Sequence, residues 1–359
     1  MTTTQQETHH QAVVLQHKGL ITLEEKPIPV LSDPHYVRLQ IKKTGICGSD
    51  VHYYKTGAIG DFVLKAPMVL GHESSGVVVE VGRAVTMVKV GDRVAIEPGV
   101  PSRYSDETKA GRYNLCPHMA FAATPPYDGT LVKYYLAPED FLVKLPDHVS
   151  LEEGALVEPL SVGVHAAKLA EVRYGQRALV FGAGPVGLLT GAVAAAFGAK
   201  DVVFVDVHAI KLKLSTKFGG THAVDASRIV GEDNLVAEIE RVLGGEQPEV
   251  VFDCSGAEPC VRAGIKACKA GGTYVQVGVG KDDVTVPLTA IGTKELRVQG
   301  TFRYAFGDYR DAVRLISDGD VDVKPLITHH FKFEDAPKAY DFNMNFPSEV
   351  IKTIIDGPE

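Results

Sequence analysis

The chain has 359 residues, 45% of them hydrophobic and 23% charged, which is the composition of an ordinary globular protein and excludes a disordered chain. No run of about 20 uncharged apolar residues indicates a transmembrane helix, so no membrane partner is expected. The net charge of −8, without a basic block, argues against nucleic acid as a partner. At roughly 150 residues per domain, the length predicts two domains.

The cysteine and glycine counts add two further expectations. Five scattered cysteines fit a reducing compartment better than a disulfide framework. The polar start of the chain does not resemble a targeting peptide, so we expect a cytoplasmic protein. The 36 glycines in 359 residues are a larger share than the average of about 7%. This excess predicts turns that let the backbone approach a ligand closely.

The first 160 residues have the pattern of short strands separated by turns. Tyr36–Lys43 alternates apolar and polar residues, and Ser74–Gly82 and Asp92–Glu97 are further strand candidates. Turn signals such as Asp128-Gly129 separate such segments. This region is therefore predicted to form an antiparallel, partly barrel-like domain.

The pattern changes from Arg177 onward, where short apolar runs alternate with helical segments such as Leu188–Phe197. Continuous apolar runs are typical of strands buried on both faces of a parallel sheet. The sequence therefore predicts a doubly wound α/β domain, with a later helix around Asp308–Ser317. The apolar runs are Ala178–Phe181, Val202–Asp206, Val250–Asp253, Thr273–Val277 and Leu296–Gly300.

A glycine motif follows the first of these runs. Gly182, Gly184 and Gly187 form the pattern G-x-G-x-x-G between a predicted strand and an apolar helix. Such glycines permit a tight turn, close approach of backbone amides to a pyrophosphate, and packing of helix on strand. Asp206 ends the next strand and would accept hydrogen bonds from a ribose, which favours NAD over NADP. Lys211 is either a further ribose contact or a solvated lysine.

Cys47, His72 and a carboxylate offer the ligand types that zinc accepts. A catalytic zinc uses three protein ligands and keeps one position open. Glu73 and Glu158 are both candidates for the carboxylate. Adjacent residues of a strand point to opposite faces, which weighs against His72 and Glu73 acting together.

The motifs GICGSDVHYY, PMVLGHESSG, NLCPHMAFAATPPYDGT, EPLSVGVH, VFGAGPVGLL and FRYAFGDY resemble those of the zinc-dependent medium-chain dehydrogenases, in their polyol dehydrogenase branch. The resemblance implies an α/β fold: a GroES-like, mainly β catalytic domain from residues 1–160 and 305–359, and a Rossmann domain at 161–304. It implies NAD-dependent, reversible oxidation of a secondary hydroxyl, at C2, of xylitol or sorbitol. It also implies a homo-oligomer, a tetramer or a dimer.

The same resemblance implies roles for individual residues. Cys47, His72 and Glu73 would bind a catalytic zinc, with Glu158 beside the open position as a hydrogen-bonding partner or an exchanging ligand. Ser49 and His52 would relay the alcohol proton outward. The implied polyol contacts are Tyr53, Glu158, Arg303 and Tyr304. The implied NAD contacts are Gly182, Gly184, Val186, Gly187, Asp206, Lys211, Val277, Gly278, Val279, Thr301, Phe302 and Arg303.

One departure from the family pattern concerns a second zinc. Many relatives hold a structural zinc through cysteines spaced C-x2-C-x2-C-x7-C, and the matching positions here are Ser102, Ser105, Thr108 and Cys116. Hydroxyls that stay protonated are poor zinc ligands. We therefore expect one catalytic zinc per subunit and no structural zinc.

Two other functions compete with this interpretation. A zinc-independent quinone or enoyl reductase of the same fold would leave Cys47, His72 and Glu73 unexplained. A non-enzymatic scaffold protein would be expected to have lost part of the catalytic set, which is complete here.

Overall fold

The computed structural model describes residues 7–359, which form two compact units. The first unit comprises the chain up to Glu158 together with Leu326–Glu359, and the second is Pro159–Pro325. The first unit is mainly β and the second contains a six-stranded parallel sheet flanked by helices in the sequence. The predicted fold class is confirmed.

The strands are numbered in chain order. They are β1 (His9–His17), β2 (Leu20–Pro27), β3 (Tyr36–Gly45), β4 (Ala58–Ile59), β5 (Phe62–Val63), β6 (Met68–Val69), β7 (Glu73–Val81), β8 (Arg93–Ile96), β9 (Gly99–Val100), β10 (Ala120–Phe121), β11 (Tyr134–Pro138), β12 (Leu142–Lys144), β13 (Arg177–Phe181), β14 (Asp201–Asp206), β15 (His222–Asp225), β16 (Val250–Asp253), β17 (Thr273–Gln276), β18 (Arg297–Gly300), β19 (Ile327–Phe331) and β20 (Lys352–Asp356).

The α-helices are numbered in the same way. They are α1 (Gly48–Thr56), α2 (Asp106–Lys109), α3 (Leu151–Ala155), α4 (Val157–Leu169), α5 (Pro185–Ala196), α6 (Ala209–Leu212), α7 (Glu232–Val242), α8 (Glu258–Ala267), α9 (Leu288–Thr293), α10 (Asp308–Ser317) and α11 (Ala336–Asn345). Within residues 7–359, none of the helices has the length and apolarity needed to cross a bilayer.

The main sheet of the first unit is built around β3. Its strand order is β12-β8-β7-β3-β20-β19, and β11 also pairs with β3. Val37, Leu39 and Ile41 alternate along β3 and pack with Val78 and Ile96 in a buried cluster, as the period-2 pattern predicts. Strand β20 pairs antiparallel with β3 and so joins a late part of the chain to this sheet.

The sheet of the second unit is parallel, with the order β15-β14-β13-β16-β17-β18. The order reverses at β13, whose two neighbours are β14 and β16. In doubly wound sheets, ligands bind outside the carboxyl ends of the strands at such a switch point. Strand β15 was not predicted, because His222–Asp225 lacks a continuous apolar run.

The domain boundary needs one correction. The resemblance implies that residues 305–325 belong to the catalytic domain, but they lie in the second unit, which extends to Pro325. The reason is that helix α10 is tied to α4 of that unit: Asp308 accepts hydrogen bonds from His165 and Lys168. The amphipathic pattern of α10 predicts a helix but does not indicate which core the helix covers.

Candidate active site

Three candidate zinc ligands converge in the first unit. The ligand atoms of Cys47, His72 and Glu73 all lie within 4.8 Å of one another. Cys47 precedes helix α1, His72 immediately precedes β7, and Glu73 is the first residue of that strand. His72 and Glu73 are 6% and 1% exposed. Because His72 precedes the strand, the alternation of a regular strand does not force the two side chains apart.

Glycine makes room for this cluster. Gly45 pairs with Glu73 across β3 and β7, and a Cβ at Gly45 would overlap the Oε2 atom of Glu73. Gly71, with a φ of +90°, precedes His72, and a Cβ there would lie 2.8 Å from Leu131. A larger residue at position 45 would therefore displace the Glu73 carboxylate.

Lys352 supplies a positive charge from β20. Its Nζ donates to both carboxylate oxygens of Glu73 at 2.7 Å and to the carbonyl of Ile46 at 3.0 Å. Burial by itself lowers the pKa of Lys352, but Glu73, the Cys47 sulfur and Glu158 outweigh burial and raise it. The lysine therefore stays charged and offsets much of the negative charge at this site.

Asp50 orients His72 from helix α1. The Asp50 Oδ1 atom is 3.3 Å from His72 Nδ1, a contact of charge rather than an aligned hydrogen bond. Tyr340 donates to the other Asp50 oxygen at 3.4 Å. Burial lowers the pKa of His72, but Asp50 and Cys47 outweigh it and raise that pKa well above its usual value. Since Nδ1 faces Asp50, Nε2 is the nitrogen left for a metal, the arrangement usual for zinc-bound histidines.

The remaining predicted residues of this unit lie on two helices. Ser49 is half-buried and His52 exposed on α1, three positions apart and so on one helical face. Tyr53 is 3% exposed and belongs to a hydrophobic core cluster. Glu158, in the first turn of α4, is 6% exposed and is not one of the three clustered ligands, although its charge acts on Lys352.

The glycine motif in the second unit has the expected local geometry. Gly182 has a φ of +90°, in the left-handed region that favours glycine. Gly184 is the N-cap of α5, and a Cβ there would meet no atom within 4 Å. A Cβ at Gly187 would overlap the carbonyl oxygen of Gly182. The turn therefore requires glycine at two positions and leaves the start of α5 open to a ligand.

Asp206 ends β14 beside this turn. It accepts the backbone N–H of Ala183 at 2.6 Å and that of His208 at 2.8 Å. Lys211 is half-buried on the short helix α6, and Val186 is half-buried in the first turn of α5. Asp206 thus connects the glycine turn to the end of the neighbouring strand.

The segment after β17 packs closely on the loop after β16. The backbone N–H groups of Val277 and Gly278 donate to the carbonyl of Asp253 at 2.8 and 2.7 Å. A Cβ at Gly278 would lie 2.6 Å from the Gly256 nitrogen. Val279 is 87% exposed. This close approach fixes the backbone and leaves the Val279 side chain open to a ligand.

The predicted residues after β18 have unusual backbone geometry. Arg303 has a φ of +56°, a conformation that costs a non-glycine residue about 1–3 kcal/mol. Its guanidinium lies 4.6 Å from the ring centroid of Phe302, while Tyr304 is only 2% exposed. The Thr301 Oγ1 atom is buried without a hydrogen-bond partner among the described residues.

Both implied cofactors fit the residues present. A thiolate, an imidazole and a carboxylate form a donor set suited to zinc. For NAD, the glycine turn provides the cradle for a pyrophosphate, and the Thr301 hydroxyl is a buried polar atom that a ligand could satisfy.

The four positions of the family's structural zinc also converge. Ser105 caps helix α2, and its hydroxyl is 3.0 Å from that of Thr108. Burial raises the pKa of Cys116, but hydrogen bonds from Ser105, Thr108 and the amides of His118 and Ser102 outweigh burial and lower it. The lobe around Cys116 is therefore held by hydroxyl and amide donors to a single sulfur.

Three residues of the metal site were missed by the sequence reasoning: Lys352, Asp50 and Gly45. Asp50 and Gly45 stand in the same motif as Cys47, so their closeness in sequence was a signal. Lys352 is separated from Glu73 by 279 positions, and a single lysine in an apolar strand carries no such signal.

Comparisons with known proteins agree with this geometry. Residues 33–147 match the alcohol dehydrogenase GroES-like domain, and residues 185–318 match the zinc-binding dehydrogenase family. Sorbitol dehydrogenase 1 of Saccharomyces cerevisiae is 65% identical over 97% of this chain and 98% of its own length. D-xylulose reductase of the same yeast is 55% identical over 98% of this chain and 99% of its own length.

A solved structure gives the same result for the fold. A crystal structure of an oxidoreductase/dehydrogenase of unknown specificity from Escherichia coli superimposes with a TM-score of 0.92. It is 33% identical and covers 98% of this chain and 100% of that one. The match to both family domains and the identity along nearly the whole chain establish that this protein is an oxidoreductase of the zinc-binding dehydrogenase family, in the branch that includes the yeast sorbitol dehydrogenases and D-xylulose reductases.

Proposed function

We propose that the chain is an NAD-dependent polyol dehydrogenase that reversibly oxidises a secondary hydroxyl, at C2, of xylitol or sorbitol to the ketose. The observation that carries this proposal is the buried convergence of Cys47, His72 and Glu73. The names of the two yeast relatives support polyols as the substrate class.

The ligand set gives the first unit its chemistry. When bound there, zinc would act as a Lewis acid that lowers the pKa of a hydroxyl oxygen. Asp50 holds the His72 ring, and Lys352 holds the Glu73 carboxylate. Glu158 is buried and its charge acts on Lys352, which supports a role in accepting a hydrogen bond from a substrate hydroxyl or in exchanging with Glu73.

The proton would leave through Ser49 and His52. The two side chains share one face of α1, and their exposure increases from half-buried Ser49 to exposed His52. A relay from a half-buried hydroxyl to a solvated imidazole fits this order, because the outer group can pass the proton on to water.

In the second unit, NAD would supply the hydride acceptor. The turn formed by Gly182, Gly184 and Gly187 would hold its pyrophosphate. The Asp206 carboxylate would accept hydrogen bonds from the ribose hydroxyls and disfavour a 2′-phosphate. The further contacts that we propose for NAD are Val186, Lys211, Val277, Gly278, Val279, Thr301, Phe302 and Arg303.

Arg303, Tyr304, Glu158 and Tyr53 would hydrogen-bond the other polyol hydroxyls. A site built this way discriminates strongly against analogues that lack those hydroxyls, by factors on the order of 10⁴. We therefore expect ethanol to be a very poor substrate.

The test follows NADH absorbance with xylitol, sorbitol and ethanol, before and after chelation. We expect polyol oxidation that chelation abolishes and that zinc restores. Cys47→Ser should lower kcat/KM about a thousandfold or more, since several kcal/mol of stabilisation are lost and each 1.4 kcal/mol is tenfold. Cys260→Ser, a half-buried cysteine of the second unit, is the matched control and should retain activity.

Two outcomes would overturn the proposal. Quinone reduction that survives chelation would identify the zinc-independent reductase instead. Zinc binding without turnover of any polyol would favour a scaffold protein.

We further propose one zinc per subunit, a homo-oligomer and a cytoplasmic location. All five cysteines are free, which fits a reducing compartment. In the described chain, β18 lies at an edge of the sheet and exposes Val298, and an unpaired edge strand is a ready template for pairing with another chain. Light scattering tests for the dimer or tetramer, and a monomer at micromolar concentration would contradict it.

A further inference from the structure

Asp308 connects the segment that follows β18 to helix α4, within the second unit. This carboxylate is 2% exposed and accepts three hydrogen bonds. His165 Nδ1 donates at 2.8 Å and Lys168 Nζ at 2.7 Å, both from α4. The third donor is the backbone N–H of Ala305, at 2.7 Å.

The segment so held contains Arg303, whose backbone lies in a region that non-glycine residues seldom adopt. Such a conformation persists only where the surroundings impose it. Ala305, two residues later, is fixed by Asp308. Tyr304 is fixed by Tyr309: their ring centroids are 5.3 Å apart, and both rings are almost fully buried.

Both restraints come from the first turn of α10, and α10 is itself anchored to α4. Lys168 bridges Asp308 and Asp311, each at 2.7 Å. Helix α4 is a firm support, because Val164, Ala166 and Ala167 have no exposed surface. The chain of contacts therefore runs from a buried helix through Asp308 to the backbone beside Arg303.

We infer that Asp308 is a positioning residue for polyol binding: it holds the 303–305 backbone so that Arg303 and Tyr304 present their polar groups to the substrate. This inference rests on the proposed function and adds a residue that has no substrate contact of its own. Displacing a binding group by about 1 Å can cost on the order of a hundredfold in rate.

The experiment compares Asp308→Ala with Asp308→Asn, using saturating NAD and varied xylitol or sorbitol. We expect Asp308→Ala to raise the polyol KM about tenfold to a hundredfold, with a smaller change in kcat. Asp308→Asn should recover much of the loss, since its amide oxygen still accepts the Ala305 N–H. The matched control is Glu249→Ala, which also removes a carboxylate that binds a backbone N–H, that of Arg177 at 2.9 Å.

A readout without activity accompanies the kinetics. Trypsin should cleave after Arg303 at least tenfold faster in Asp308→Ala than in Glu249→Ala, because only the former releases this segment. If Asp308→Ala does not fold, Lys168→Met, which removes one of the donors to Asp308, carries the same two measurements with a smaller expected effect. An unchanged KM and unchanged cleavage in the folded variants would overturn the inference.

Arg303→Ala separates this inference from the proposed function. If Arg303→Ala raises the polyol KM while Asp308→Ala does not, the positioning role fails and the proposed function stands. If Arg303→Ala leaves KM unchanged, the proposed role of Arg303 fails, and the trypsin result still decides whether Asp308 holds the segment.

Discussion

The first unit contains two clusters of converging side chains that differ in their chemistry. In one, Cys47, His72 and Glu73 bring three metal-binding side chains within 4.8 Å, supported by Lys352. In the other, Ser105 and Thr108 surround Cys116 with hydroxyl groups. Side chains converge in both places, but only the first retains a set of ligands that zinc prefers.

The difference teaches that converging positions do not by themselves make a metal site. Around Cys116, the Ser105 and Thr108 hydroxyls and two backbone amides hydrogen-bond the single sulfur. Around Cys47, Lys352 pairs with the Glu73 carboxylate and Asp50 faces the His72 ring. Four variants, in order of decreasing expected effect, would test this contrast.

Lys352→Met should have the largest effect on stability. Removing one partner of a buried ion pair typically lowers the free energy of unfolding by about 3–5 kcal/mol. In this variant the Glu73 carboxylate would be left with an unmatched buried charge. Lys43→Met is the control, since Lys43 pairs with Asp356 while 25% exposed and should cost only about 0–1 kcal/mol. Denaturant unfolding measures both variants, and equal losses would contradict the prediction.

The same variant also reports on zinc. If Glu73 binds the metal, zinc neutralises the carboxylate, and Lys352→Met should be less destabilised with zinc than after chelation. An identical loss under both conditions would show that Glu73 does not contact the metal.

Gly45→Ala should disturb the metal cluster directly. The added Cβ would displace the Glu73 carboxylate, and we expect zinc affinity to fall about tenfold to a hundredfold, as for other disturbed ligands. Gly48→Ala is the control, because no atom lies within 4 Å of a Cβ there. Competition with a chelator gives both affinities, and a normal affinity in Gly45→Ala would refute the steric explanation.

Ser102→Cys, Ser105→Cys and Thr108→Cys together should convert the second cluster into a zinc site. We expect metal analysis to rise from one zinc per chain to two, with slower heat inactivation. Free zinc at about ten times its dissociation constant would stabilise the lobe by about 1.4 kcal/mol. Adding Cys116→Ser to the triple variant should cancel the gain, and two tightly bound zincs in the unaltered protein would disprove the contrast.

Ser105→Ala should have the smallest effect. It removes the N-cap of α2 and one hydrogen bond to Cys116, at a cost of about 1 kcal/mol. Alkylation of Cys116 in the native protein should also slow in this variant, since the pKa of the Cys116 thiol would rise. Ser150→Ala, which removes the N-cap of α3, should cost a similar amount without changing Cys116.

Local sequence carried most of the information about the sites. Gly182 to Gly187 and the segment around Cys47 are compact motifs, and their geometry depends on neighbours a few positions away. The role of Lys352 could not be predicted because its partner, Glu73, is 279 positions distant in the sequence. The predicted domain boundary at residue 305 differs from the observed end of the second unit because the sequence pattern of α10 does not indicate that Asp308 contacts α4.

The position of Lys352 on β20 also bears on how the protein is made. Glu73 emerges from the ribosome 279 residues before the lysine that matches its charge. Meanwhile Pro159–Pro325, an uninterrupted stretch of chain, is synthesised in full. The second unit can therefore complete its sheet first, whereas the zinc-binding half must wait for β20, so its maturation falls late in translation or after it.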